Sequence, residues 1–207
     1  MQDAKGRGRP PKQRGDKLLT REMLVHVGTE VLTEKGYSAV GVDEILQRTG
    51  ISRCSFYYYF KTKEGFGAEL IDRYRLSITQ KLERCLCDPS LSPLDGLWAF
   101  VGGVRDEMAR AGCRSGCLLG KLAQEVNTLP ENFREQLSAV FAEWQDVFAR
   151  GLKRAQETGE ISPELDCAST AAFFWYGWEG ALQRANLELD IKPVDIFIDN
   201  FFSRLTG

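Results

Sequence analysis

Cys117 opens a short apolar segment directly after a glycine, in Ser115-Gly116-Cys117-Leu118-Leu119-Gly120. Unpaired N–H groups at a helix start stabilise negative charge, so a thiol placed there is favoured as thiolate. A thiolate adds to quinones, aldehydes and acrylates, and it oxidises to sulfenic acid. Cys113, four residues earlier, is the candidate resolving thiol. The plain alternative is that Cys117 is a small buried hydrophobe, as free cysteines usually are. Glu125 and Glu179 lie in apolar stretches, where a carboxylate needs a partner. That partner is a ligand or an arginine such as Arg184, or for Glu179 an ion pair across a subunit interface. Trp98, Phe141, Trp144, Trp175 and Trp178 are candidates for an apolar pocket wall, and each is equally an ordinary core residue.

A second chemistry lies in Gly41 to Lys63, GVDEILQRTGISRCSFYYYFKTK. It reads as a short helix, a glycine turn at Gly50 and a second helix, a helix-turn-helix suited to the major groove of double-stranded DNA. On the second helix Phe56, Tyr59 and Phe60 share one face by i, i+3, i+4 spacing and should pack inward. Ser52, Arg53, Cys54, Tyr57 and Tyr58 then face away from the core. Arg53 has the reach for a bidentate pair on a guanine edge or for a phosphate. Cys54 stands where oxidation would set negative charge against phosphate, or it simply fills a small position. Lys63 begins the next helix, where it and the backbone N–H groups can grip a phosphate. Arg7 and Arg9, in Arg7-Gly8-Arg9-Pro10, lie in a basic arm that either enters an A·T-rich minor groove or adds non-specific phosphate attraction.

The elements that must position these residues are helical throughout. Residues 1–17 are polar, basic and rich in Gly and Pro, which predicts a disordered arm. Leu18 to Lys35 is the first helix, with Leu19, Met23, Val27 and Val31 at fourfold spacing and Gly36 as its stop. Val42 to Thr49 is the second, and Ser52 caps the third. Thr62 caps a long fourth helix running to about Leu86. Pro93 to Arg110 follows, then the short segment Cys117 to Val126. A long helix, capped by Thr128 or Leu129, runs to Thr158. Leu165 to Leu189 and Pro193 to Leu205 end the chain. No alternating strand pattern and no internal repeat is present, so the expected fold is all-α with about nine helices.

The net charge of −2 hides a split. Residues 1–63 hold 12 Lys/Arg against 7 Asp/Glu; the rest hold 15 against 22. A polyanion-binding surface therefore belongs at the N-terminal end. The 207 residues contain six cysteines, but without zinc-module spacing and with His26 as the only histidine. No metal and no cofactor is expected. No apolar run reaches the length of a membrane span, and cytoplasmic residence with free thiols is the expectation. The absence of a histidine, of a nucleophile–base pair and of a phosphate loop in the acidic part argues against an enzyme.

The helix from Leu165 is apolar nearly all round, through Phe173, Phe174, Trp175, Tyr176 and Trp178. Gly177 and Ala181 would let another helix approach closely. The last helix also has apolar residues on more than one side, which points to a homodimer through a four-helix seam.

Thr33-Glu34-Lys35-Gly36-Tyr37, Val42-Asp43-Glu44-Ile45 and Ser55-Phe56-Tyr57-Tyr58-Tyr59-Phe60, with Lys63 and Glu64, resemble the TetR family of bacterial transcriptional regulators. That resemblance covers about the first 65 residues. It implies that Tyr57 and Tyr58 reach the DNA backbone or thymine methyls. The family usually has Lys-Gly in place of Arg53-Cys54, and often His in place of Tyr58, which bears on operator sequence. Through Ser115 to Gly120, Glu125 and Trp175 to Ala181, the rest is similar to one subgroup, the acrylate-utilisation and N-ethylmaleimide-reductase repressors. The resemblance implies a repressor with a disordered arm over 1–17, a reading domain over 18–63 and a sensor and dimerisation domain over 64–207. A small-molecule, electrophile or oxidant signal would release it from a palindromic operator. The rivals are a thiol-independent sensor of hydrophobic ligands and a non-specific architectural DNA binder.

Overall fold

Nine helices and no strand make up the residues that the computed structural model describes, 14–114 and 116–206. They are α1 (Arg14–Lys35), α2 (Val42–Thr49), α3 (Arg53–Phe60), α4 (Lys63–Leu86), α5 (Pro93–Arg110), α6 (Leu118–Gln124), α7 (Glu131–Glu157), α8 (Cys167–Glu188) and α9 (Lys192–Leu205). The all-α expectation holds. Helices α1 to α3 form a small unit at one end, and α4 carries the chain from it into a bundle of α5 to α9.

Helix starts follow capping chemistry. Ser52, Thr62 and Ser92 each accept a hydrogen bond from the backbone N–H three residues on, and Asp166 accepts from Ala168 and Ser169. Gly50 turns the chain between α2 and α3 with φ 66°, a conformation that costs a residue with a Cβ about 1 kcal/mol or more.

Two local expectations are corrected. Helix α1 begins at Arg14 rather than Leu18, and Leu18, Leu19 and Met23 are exposed. Its buried stripe is Leu24, Val25, Val31 and Leu32, because that face meets α2, α4 and α6 while Leu19 and Met23 lie on the outer one. Helix α7 starts after Pro130, since Thr128 spends its hydroxyl on the carbonyl of Glu125 and on Ser38. The small residue Gly177 accommodates Phe197 of α9 in the same chain; a Cβ there would lie 2.3 Å from that ring.

The core is aromatic where α7, α8 and α9 meet. Phe148 stacks on Phe174 with centroids 4.1 Å apart, and Trp144 stacks on Trp175 at 5.1 Å. Such pairs add about 0.5–1.5 kcal/mol each beyond burial. No helix among the described residues is long and apolar enough to cross a membrane.

Candidate DNA-reading face, junction and sensor site

Helix α3 is oriented by its phenylalanines. Phe56 and Phe60 are buried against Phe66 of α4, with centroids 4.9 and 4.8 Å apart, and Tyr59 is half-buried beside them. That anchor turns Arg53, Cys54, Tyr57 and Tyr58 outward, all exposed, with the cap residue Ser52 at their edge. Arg53 pairs with Asp43 of α2. Lys61, absent from the sequence-derived set, adds a cation 5.6 Å from the Tyr58 ring centroid. Lys63 is committed inward. Its Nζ donates to the Tyr37 carbonyl at 2.8 Å and lies 4.1 Å from that ring's centroid, and burial lowers its pKa. Arg7 and Arg9 lie outside the described residues.

Behind this face is a junction with the bundle. The Tyr37 ring meets Phe133 of α7 edge-on at 5.3 Å. Glu125, the C-cap of α6, accepts a hydrogen bond from Ser38 N at 2.8 Å on Oε2. Its partner among the described residues is thus the backbone before α2. Ser38 and Thr128 hydroxyls meet at 3.1 Å.

The other end of α6 carries Cys117 as N-cap. Its Sγ accepts from Gly120 N at 3.4 Å. Burial, and then the neighbouring Glu179 carboxylate, nevertheless raise the thiol well above its ordinary pKa of 9.0. The resting group is therefore a thiol, not the thiolate that the helix start alone suggests. Both Glu179 oxygens are buried without a hydrogen bond of normal geometry. Burial pushes this carboxyl up to about 7, with Cys117 beside it pulling the other way. Arg184 does not pair with it, being held by Glu188. Tyr74 of α4 completes the group; burial, Cys117 and Glu179 raise its phenol well above 10.0.

Two cavities meet at Cys117. One of about 640 Å³ lies between α1, α4 and α5, with Tyr74, Ile78, Val104, Met108 and Leu182 among its walls. One of about 390 Å³ has Gly120, Lys121, Glu179 and Arg184 in its wall. Cys113 is not brought to the site. It sits in a left-handed turn after α5 (φ 57°), its carbonyl accepts from Asn186, and its charged neighbours are Asp190 and Arg105. Trp98 also fails to line it, because it is exposed and stacks on Phe202 at 4.4 Å. Trp144 and Trp178 are buried core. Trp175 is buried too, with its indole N–H lacking a hydrogen-bond partner, and it shares a third cavity wall with Glu179. Tyr74 was missed, although it falls between Leu70 and Ile78 at fourfold spacing on the inward face of α4.

Residues 24–70 match the family described as bacterial regulatory proteins, tetR family, and residues 93–201 match the tetracyclin repressor-like C-terminal domain. The transcriptional regulator AcuR of Cereibacter sphaeroides is 44% identical over 195 residues, 94% of this chain and 89% of that protein. The HTH-type transcriptional repressor DhaR of Mycobacterium sp. (strain GP1) is 29% identical over 185 residues, 89% of this chain and 91% of its own. A crystal structure of regulatory protein TetR from Rhodobacter sphaeroides superposes with a TM-score of 0.86 at 44% identity, covering 88% of this chain and 97% of that one. The reduced form of Escherichia coli NemR superposes at 0.81 with 24% identity, covering 88% and 94%, and supports the fold alone. With an outward aromatic helix, two matched domain families and a relative 44% identical over 94% of the chain, this chain belongs to the TetR family of helix-turn-helix transcriptional regulators, which bind operator DNA as dimers and are not enzymes.

Proposed function

We propose that this chain is a homodimeric repressor released from a palindromic operator when an electrophile adds to Cys117. The reading unit ends near Lys63, and the sensor and dimerisation unit follows it. One observation carries the proposal: α6 has the thiol at one end and the junction at the other. From Cys117 at the N-cap to Glu125 at the C-cap the chain rises about 12 Å at 1.5 Å per residue. Glu125 in turn holds Ser38 in the loop that leads into α2. An adduct on Cys117 replaces the thiol proton at the N-cap of α6 and fills the cavities beside Tyr74 and Gly120; a shift of α6 in response moves the backbone that positions α2 and α3. The two reading helices of a dimer then no longer match successive major grooves about 34 Å apart.

The test is operator release, measured by fluorescence anisotropy after treating the reduced protein with N-ethylmaleimide or methyl acrylate. Wild type should lose operator affinity, and Cys117→Ser should stay bound. Release of the serine variant at the same dose would overturn the thiol mechanism. A reversible ligand sensor is the second reading, favoured by the 640 Å³ cavity between α1, α4 and α5, whose wall sets Tyr74, Ile78 and Val104 beside Glu22, Arg73 and Glu107. That reading predicts release of both proteins by an apolar, unreactive compound.

A further inference from the structure

Cys117 is half-buried and its sulfur is held as the thiol at rest, and such a group is a poor nucleophile. Something must take its proton. We infer that Glu179 is the general base for Cys117 as the thiol adds to an uncharged conjugated carbonyl compound, so that the reactive unit is a thiol–carboxylate pair. This rests on the proposed sensing role of Cys117 and names both the helper residue and the ligand class.

The geometry converges from two sides. Cys117 Sγ accepts from the Gly120 N–H, and a Cβ on Gly120 would lie 1.9 Å from Glu179 Oε2. Gly120 thus lets the carboxylate of α8 come down onto the start of α6, beside the sulfur. Both Glu179 oxygens are buried and lack a hydrogen bond of normal geometry, with the Cys117 thiol as a weak donor beside them, a costly arrangement unless they serve a partner that arrives or a proton that moves. A carboxyl that titrates near neutrality is suited to accept a proton there. The groups facing it are Tyr74 from α4, Cys117, Lys121 from α6 and the Glu188-bound Arg184 of α8. Ser138 and Gln145 of α7 and Thr33 of α1 add no charge.

The step balances without an oxidant or reductant. The Cys117 S–H bond breaks and its proton passes to Glu179. An S–C bond forms at the β-carbon, and the alkene electron pair moves to the carbonyl oxygen as an enolate. Glu179 returns the proton to the α-carbon as the carbonyl re-forms. The sum is addition of S–H across the double bond. An electrophile bearing its own carboxylate would be driven against the Glu179 carboxylate beside the sulfur, so the site takes uncharged compounds.

The experiment follows adduct formation on the reduced full-length protein with methyl acrylate between about pH 5.5 and 9.5. Peptide mass spectrometry separates Cys117 from the exposed Cys54 and Cys87. The wild-type rate should rise through an inflection near pH 7, where Glu179 ionises. Glu179→Gln should lose that inflection and react at least about 10-fold more slowly near pH 7.5, and Glu179→Asp should keep it. Removing a negative charge by itself favours thiolate. An E179Q rate equal to or above wild type would therefore overturn the base assignment while leaving Cys117 as the sensor. Should E179Q fail to fold by circular dichroism, a wild-type profile without an inflection between about pH 6 and 8 overturns it equally. Acrylate anion, scaled to its rate with free N-acetylcysteine, should react more slowly than methyl acrylate; equal scaled rates would sink the selection for uncharged compounds. If methyl acrylate labels Cys117 without operator release, the sensing role fails and the chemistry of the pair stands.

Discussion

Glu125 Oε1 occupies the place of an absent side chain: a Cβ on Gly36 would lie 1.6 Å from it. Gly36 also holds φ 84°, so glycine is required there for two reasons. The bundle therefore reaches the reading unit at the turn between α1 and α2, and the contact is a carboxylate on backbone.

Glu125→Ala tests that contact. It removes a charge-assisted hydrogen bond to Ser38 N at an exposed edge, worth about 1 kcal/mol. Operator affinity without an electrophile should fall about 5-fold, and the further fall on Cys117 modification should shrink. An unchanged affinity with an unchanged response would remove this contact from the coupling route.

Glu179 makes stability depend on pH. Its folded pKa of about 7 lies above the ordinary 4.5, so the folded protein prefers the protonated form. The favourable contribution is complete below about pH 4.5 and is lost as pH rises through about 7. Urea unfolding should show stability declining from about pH 5 to 8, by up to about 3 kcal/mol. Glu179→Gln should flatten that decline and be the more stable protein at pH 8. Parallel curves for the two proteins would contradict the buried, unpartnered carboxylate.

Arg53→Ala distinguishes base reading from phosphate contact. Arg53 is exposed and leans on Asp43, within the face defined by Tyr57 and Tyr58. Base reading predicts a loss of about 1–3 kcal/mol on the cognate operator, with relaxed preference at one base pair. A uniform loss on cognate and random DNA, with the salt slope reduced by about 1, would assign Arg53 to a phosphate.

Much of this molecule was legible in its sequence, for reasons that are local. Ser52, Thr62 and Gly50 act on their own helix ends, so α2, α3 and the start of α4 fell where capping and turn chemistry placed them. The inward Phe56 and Phe60 follow from helical spacing in the same way. What escaped depends on tertiary partners. Leu19 and Met23 keep the period of α1, yet they fall on its outer face, while Thr20 and Leu24 of the same turns are buried and Arg21 pairs with Glu69 of α4. Trp98 has the composition of a pocket residue, but the rotation of α5 sets it against Phe202. Cys117 was visible by its position before α6; that Tyr74 and Glu179 close around it depends on packing between α4, α6 and α8. Local dipoles favoured a thiolate there, and burial reversed the sign.

The dimer seam is tested at Phe173 and Tyr176, which are 57% and 71% exposed on a helix whose other faces are core. Ile196 of α9 is also exposed, and with Phe173 it borders a largely apolar cavity of about 470 Å³. Adjacent exposed apolar groups on neighbouring helices are what an isologous interface needs, since each side meets its own copy. Phe173→Glu with Tyr176→Glu should give a folded monomer at micromolar concentration by sedimentation. Because one subunit then engages one half-site, affinity for a palindromic operator should fall at least about 100-fold. A double variant that still sediments as a dimer would place the seam on another face of the bundle.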